Sequence, residues 1–260
     1  MQTLKLLLFM AALVGIVSCS KKDKINGAAT QSQPIGHATA QENVSPDNHL
    51  NPYDFVGKEH NRLLAMVRAY LESGGDNTVR GRNLFLMKHT STHTNVEQLD
   101  KAVYHVIADT ASRYLGNLSR LPITSDAKNA IVRIYKQVKT VKDNGEFSTF
   151  KAQLVKMEDG FLSSTNFSEK EKQLLLSAAS VARHSTYYWL NDEELNVSAD
   201  GRTASRSFFW KLIRAVGAAS TDISSLVETI VTDNDLPTAI TEAAAASSWA
   251  YDAFDYMIDF

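Results

Sequence analysis

Apolar residues recur every three or four positions through most of the chain after residue 51, and this spacing limits the fold more than any other feature. Such a period places apolar side chains on one face of an α-helix, whereas a strand would alternate apolar and polar residues. We therefore predict an all-α fold, an irregular bundle of about seven to eight helices. The predicted helices cover residues 56–71, 95–116, 125–142, 147–161, 168–189, 208–216 and 223–231, with a last helix from 237 through the alanine run 243–246.

Three of these helices carry start signals. Ser168 and Glu171 form the S-x-x-E pattern of a capping box, and Asn95 and Gln98 have the same spacing. Pro237 suits the first turn of the last helix, where its missing N–H costs nothing. These signals predict where the helices begin.

The stretch from residue 76 to residue 94 lacks a helical pattern. It follows the helix-stopping pair Gly74 and Gly75, and only residues 84–87 are continuously apolar. We predict a loop here.

The N-terminus predicts a lipid anchor. A single positive residue, Lys5, precedes an apolar run of 12 residues from Leu6 to Val17, which fits a signal peptide and is too short to span a bilayer. The run ends at Ser18-Cys19 in a sequence that resembles a bacterial lipobox, where the cysteine is acylated and becomes the first residue of the mature chain. We predict a signal peptide at residues 1–18 and acyl chains on Cys19 that bind the lipid bilayer. The alternative is an ordinary cleaved signal peptide with a chance cysteine.

The rest of the N-terminal region limits where the protein can be located and which chemistry it can carry out. Cys19 is the one cysteine, so its acylation would exclude disulfides, thiol catalysis and cysteine-ligated metals. We predict a flexible tether over residues 19–51 and a helical domain over residues 52–260, in the cell envelope and at the outer membrane. The periplasmic or surface face stays open, because residues 20–24 are basic and lack an acidic export signal. A formal net charge of −2 gives no indication of a nucleic-acid partner.

The histidines are the candidate metal ligands. His89 and His93 are four positions apart, a spacing that places two imidazoles on one helical face, and His60 or His105 would have to supply a third ligand. The alternative is a polar loop, with His60 bracing a helix contact. We predict no cofactor and no catalytic residue. A triad built on His184 and its neighbours is set aside, because adjacent residues of a helix do not face each other.

Two further features allow a binding role. The aromatic sets 187–189 and 208–210 either pack against each other as core or expose a binding groove. The segment from Asp233 to Phe260 is acidic and has no lysine or arginine, so it either docks on a basic protein partner or packs on its own bundle.

Two stretches of the chain carry a family resemblance. Residues 51–61, Asn-Pro-Tyr-Asp-Phe-Val-Gly-Lys-Glu-His-Asn, and residues 182–189, Ala-Arg-His-Ser-Thr-Tyr-Tyr-Trp, resemble a group of uncharacterised Bacteroidota lipoproteins with an N-P-Y-D-x-V-G-x-x-H-N opening stretch. The resemblance covers about residues 51 to 190 and implies lineage and location, not an activity. The chain departs from the glycine-rich C-terminal region of that group, because few glycines follow residue 201.

These observations favour an envelope lipoprotein with a non-catalytic interaction or structural role. The first alternative is a small metal-dependent or general-base hydrolase that uses converging histidines. The second is a bacteriocin-like antagonistic factor that acts through residues 203–260.

Overall fold

Eight α-helices can be delimited, and no strand occurs, in the part of the chain that the structure describes. A computed structural model describes residues 45–92, 94–108, 118–141, 147–191 and 204–258. The helices are α1 (Asp54–Glu72), α2 (Val79–His89), α3 (Val96–Ala108), α4 (Ser125–Val138), α5 (Phe147–Ser163), α6 (Glu169–Leu190), α7 (Ala204–Asp233) and α8 (Leu236–Ile258). The predicted all-α class is confirmed.

The predicted helix starts of α3 and α6 are confirmed by reciprocal capping bonds. Ser168 Oγ accepts from the N–H of Glu171 at 3.3 Å, and Glu171 Oε2 accepts from the N–H of Ser168 at 3.0 Å. Asn95 and Gln98 exchange the same two bonds at the start of α3. Glu171 also accepts two bonds from Thr124, which caps α4. Burial alone would raise the pKa of Glu171, but the bonds from Thr124 and Ser168 outweigh it and lower the pKa to about 2.

Helix α2 lies where the sequence predicted a loop. The hydroxyl of Thr78 caps it by accepting from the N–H of Gly81 at 3.0 Å. Its buried face mixes polar, charged and small residues, so no apolar period marks the helix. The buried residues of α2 are Val79, Gly81, Arg82, Asn83 and Leu86. The prediction of a loop over residues 76–94 is therefore wrong for the central part of that stretch.

Helix α7 is continuous where the sequence predicted two short helices, at residues 208–216 and 223–231. The residues between them are small or polar, which interrupts the apolar pattern but not the backbone hydrogen bonds. Ala218 and Ala219 are buried, because α7 packs along α6 and α8. Small side chains therefore mark a close helix contact here, not a turn.

Helix α6 is at the centre of the bundle. It packs against α1, α4, α5 and α7, and almost every side chain in its second half is buried. The buried set includes polar and charged residues as well as apolar ones, and each buried polar group needs a partner from a neighbouring element. These polar residues of α6 are Ser177, Ser180, Arg183, His184, Ser185 and Thr186.

The folded part starts before the predicted domain boundary at residue 52. Asn48 and Asn51, which the sequence placed in the tether, are buried against the bundle. The signal peptide, Cys19 and the tether up to residue 44 lie outside the described residues. None of the described helices combines the length and the apolarity that a membrane span requires.

Candidate functional site

The two stretches that carry the family resemblance face each other in space. The start of α1 lies against the second half of α6, although more than 100 residues separate them in the chain. Asn61 Nδ2 donates to the carbonyl oxygen of His184 at 2.8 Å, and the N–H of Gly57 donates to Ser180 Oγ at 3.1 Å. Ser180 Oγ in turn donates to the carbonyl oxygen of Asp54 at 3.0 Å. The contact between the helices is therefore specified by polar groups.

Gly57 allows the two helices to approach this closely. A Cβ atom at this position would lie 2.6 Å from the carbonyl oxygen of Ser180 and 2.6 Å from Cδ2 of His184. Both distances are well inside van der Waals contact, and one of the atoms belongs to the backbone. The missing side chain of Gly57 therefore leaves room for the His184 ring.

A buried ion network lies beneath this contact. The Arg183 guanidinium is fully buried and donates to Asp54 Oδ1 at 2.7 Å, to Glu158 Oε1 at 2.9 Å and to the carbonyl oxygen of Pro46. Asn48 and Asn51 donate to the two oxygens of Glu158 at 2.6 and 2.8 Å. The network therefore ties the segment that precedes α1 to both α5 and α6.

Four charged or titratable side chains form the outer layer of this network. Lys58 Nζ lies 3.3 Å from Asp47 Oδ1 and 3.3 Å from Asp54 Oδ2. His184 Nε2 lies 3.3 Å from Asp54 Oδ1 and 3.8 Å from Asp47 Oδ1. Burial alone would raise the pKa of Asp54, but His184 and Arg183 outweigh it and hold this pKa well below its usual range.

An open cleft of about 670 Å³ begins at this layer. Tyr187 and Tyr188 border it and are partly exposed, so these two aromatic residues fit the binding-groove alternative. Trp189 is buried, and the side chains of residues 208–210 lie outside the described residues. The full set lining the cleft is Pro46, Asp47, Lys58, Asn61, Arg68, His184, Tyr187, Tyr188 and Asn191.

The histidines predicted as metal candidates occupy separate environments where they are described. His60 is fully buried and pairs with Asp222 at 3.3 Å. Burial would lower the pKa of His60, but Asp222 outweighs it, so the pKa is raised. His89 is exposed and donates to the carbonyl oxygen of Phe85 at 2.8 Å. His93 and the side chain of His105 lie outside the described residues, so a metal site that includes them stays a prediction.

The residues around His184 do not form a Ser-His-Asp triad. Ser185 Oγ donates to Asp222 Oδ2, whereas His184 contacts Asp54. The serine and the histidine therefore engage different carboxylates, as expected for neighbours that point to different sides of a helix.

Sequence reasoning missed Asp47 and the position of Asp54 within the site. Asp47 belonged to the predicted tether, and Asp54 appeared only within the stretch of residues 51–61 that carries the resemblance. Among the described residues, one group of at least three potential metal ligands has its ligand atoms within 4.8 Å of one another, and it consists of Asp47, Asp54 and His184. The sequence signal that could have revealed the site was the Arg183-His184 pair on a buried helix, because buried basic side chains require acidic partners.

The acidic C-terminal segment packs on its own bundle over the part whose side chains are described. Helix α8 lies along α7, with the alanine run 243–246 fully buried. Glu242 is also buried, and burial raises its pKa to about 7, with the nearby Asp233 and Glu228 adding to the effect. The side chains of residues 251–260 lie outside the described residues, and a basic partner for them stays a prediction.

No protein-family model, curated protein or solved structure matches the chain significantly.

Proposed function

We propose that the chain is a lipid-anchored protein of a Gram-negative envelope, attached to the outer membrane through Cys19, whose helical domain binds a small polar ligand without catalysing a reaction. The observation that carries the binding role is the open cleft between the start of α1 and the end of α6. The Bacteroidota lineage and the anchor rest on the sequence signals at Cys19 and at residues 51–61.

The pairing of the buried titratable groups Asp54 and His60 supports a non-catalytic role. A general base needs a pKa near the working pH and access to a proton on the substrate. The Asp54 carboxylate has a strongly lowered pKa and is already bonded to Arg183. The His60 imidazole is fully buried. These groups are suited to holding the bundle together and are poorly suited to moving protons.

The mixture of side chains around the cleft favours a sugar as the ligand. Tyr187 and Tyr188 offer aromatic surface for the apolar face of a sugar ring, while Asn61, Asn191 and Asp47 offer hydrogen-bond donors and acceptors for hydroxyls. Sugars present both kinds of surface and are abundant in bacterial envelopes and their surroundings.

We expect Tyr188→Ala to weaken sugar binding by up to roughly tenfold, because it removes an aromatic contact of about 0.5–1.5 kcal/mol. Saturation-transfer NMR on the full chain in detergent, with a panel of envelope monosaccharides and short oligosaccharides, measures the effect. Phe55→Ala is the matched control, because Phe55 is an exposed aromatic residue that does not line the cleft. A panel without any saturation transfer, or a Tyr188→Ala protein that binds as the wild type does, would contradict the proposed binding role.

We expect Cys19→Ser to move the protein from the membrane fraction to the soluble fraction. Each buried methylene contributes about 0.8 kcal/mol, so losing several acyl chains removes most of the membrane affinity. Detergent phase partitioning of cell extracts measures this, and Ser18→Ala, which keeps a small residue before the cysteine, should remain in the detergent phase. If the wild-type protein itself partitions into the aqueous phase, the chain has an ordinary cleaved signal peptide instead.

A further inference from the structure

We propose that Asp47, Asp54 and His184 form a binding site for one divalent cation of the zinc type, which enters in place of the Lys58 ammonium. The site shares Asp47 with the cleft proposed to bind a sugar, but titration with the metal ion alone tests it without any sugar. It also differs from the histidine site that the sequence suggested, because its one histidine is His184.

The distances between the ligand atoms suit a single metal ion. Zinc lies about 2.0–2.2 Å from histidine nitrogens and carboxylate oxygens, so two ligands in a tetrahedral arrangement stand about 3.4 Å apart. His184 Nε2 lies 3.3 Å from Asp54 Oδ1 and 3.8 Å from Asp47 Oδ1. A cation can therefore be placed among the three groups with small side-chain adjustments.

The charges around the site favour a divalent over a monovalent cation. Asp47, Asp54 and Glu158 carry three carboxylates, and the buried Arg183 supplies one positive charge to Asp54 and Glu158. Counted without His184, the group keeps one uncompensated negative charge when Lys58 pairs with it and none when a divalent cation replaces Lys58. Uncompensated charge is costly where the groups are largely buried.

The present contacts of Lys58 are open to exchange. Its side chain is 45% exposed, and its Nζ stands 3.3 Å from each carboxylate, which is longer than a strong charged hydrogen bond. Asp54 Oδ2 is buried, and its contact with the Lys58 ammonium is not a well-aligned hydrogen bond. A flexible, half-exposed lysine can turn toward solvent, so its ammonium marks a position that a cation prefers.

The surroundings of the site resemble those of metal centres that keep an open position. Arg183 fixes the Asp54 carboxylate from the buried side, and Gly57 lets the His184 ring pack against α1. Asp47 and His184 both line the cleft. Three protein ligands leave at least one coordination position for water or for a ligand in the cleft.

Titration with Co²⁺ and Zn²⁺ tests the site in the full chain, purified in detergent and stripped of metal with a chelator. Bound Co²⁺ in a tetrahedral site gives intense visible absorption, and calorimetry with Zn²⁺ gives the stoichiometry. We expect one ion per chain. Asp47→Asn should weaken binding of the metal ion by roughly tenfold to 100-fold or more. Losing a group that only orients a metal ligand already costs this much affinity.

The variant Lys58→Gln distinguishes a metal site from an ion-pair network that binds no metal. It removes the ammonium that competes with the metal ion, so we expect the affinity for Zn²⁺ to rise by roughly tenfold. A tenfold change in affinity corresponds to about 1.4 kcal/mol. His89→Gln is the matched control, because His89 is an exposed histidine outside the group. Circular dichroism on each variant establishes that it is folded.

Three results would overturn the proposal. One is the absence of stoichiometric binding in both the wild type and Lys58→Gln. Another is unchanged affinity in a folded Asp47→Asn protein. The third is weaker binding in Lys58→Gln than in the wild type, because Lys58 would then support the ion instead of competing with it.

Discussion

Replacing Arg183 by methionine should lower the free energy of unfolding by about 3–5 kcal/mol, because it removes one partner from a buried ion network. Arg183 is fully buried, and so is Glu158, which would keep its two amide donors but lose its counter-ion. Methionine fills much of the arginine volume, so the loss reports the charge and its hydrogen bonds more than a cavity. Urea denaturation followed by circular dichroism measures the change.

The N-terminal segment provides a second readout of the same variant. Arg183 bonds to the carbonyl oxygen of Pro46, and Asn48 bonds to Glu158, so the segment that precedes α1 should detach when the guanidinium is lost. Limited proteolysis should then cut residues 45–51 faster than in the wild type.

Two further variants test whether the loss of stability in Arg183→Met arises because the ion network is buried. Arg62→Met removes an arginine that pairs with Glu59 on the exposed side of α1, and it should change stability by no more than about 0.5 kcal/mol. The double variant Arg183→Met/Glu158→Gln should recover at least about 1 kcal/mol relative to the sum of the single changes. Equal losses for Arg183→Met and Arg62→Met would contradict the assigned role of the buried network.

Replacing Glu242 by glutamine should stabilise the protein by about 3 kcal/mol above pH 8, because the pKa of Glu242 is raised from a usual 4.5 to about 7. The carboxyl group is buried beside Thr229, close to the acidic side chains of Glu228, Asp233 and Asp235. Between pH 4.5 and 7 the folded state binds more protons than the unfolded state, so wild-type stability falls as the pH rises through this range. Glutamine cannot ionise and removes that fall.

The hydrogen bonds of Thr229 support a protonated Glu242. The Thr229 hydroxyl lies within hydrogen-bond distance of both Glu242 Oε2 and the carbonyl oxygen of Ser225. It has one hydrogen, so both contacts are satisfied together only when the carboxyl group supplies its own proton.

Chemical denaturation of wild type and Glu242→Gln at pH values from 5 to 9 measures the difference. His60 contributes a residual slope of the same sign in both proteins, because its raised pKa means that its stabilising pair with Asp222 weakens as the pH rises through that pKa. Glu169→Gln, at a carboxylate with 89% exposure, is the matched control and should follow the wild-type curve. Parallel curves for the wild type and Glu242→Gln would show that Glu242 is ionised in the folded state throughout.

Local signals in the sequence predicted the fold class and several helix starts. Capping at Ser168 and Asn95 depends on residues three positions apart, so a sequence pattern is enough to identify it. The helix prediction failed where the buried face of a helix is polar. Helix α2 buries Arg82 and Asn83, and their partners come from elsewhere in the chain, such as the carbonyl oxygen of Ser248 and the carboxylate of Asp100.

The candidate site was mostly beyond sequence reasoning. Its carboxylates come from Asp47 and Asp54, and its imidazole comes from His184, 130 positions after Asp54. Two stretches that the sequence singled out, at residues 51–61 and 182–189, do meet, but nothing in either stretch specifies the partner of the other. Asp47 looked like part of a polar tether, because its role depends on the packing of its neighbours Pro46 and Asn48 against the bundle.

The sequence by itself determined the all-helical class and the capped starts of α3 and α6, because periodicity and capping act within a few residues of one another. Only the tertiary structure decided that α7 is one helix, that α2 exists and that Asp47, Lys58 and His184 line one cleft with Asp54 in contact with them. The physical reason is that buried polar and charged groups must find partners, and those partners are brought close by the packing of whole helices, not by neighbouring positions in the chain.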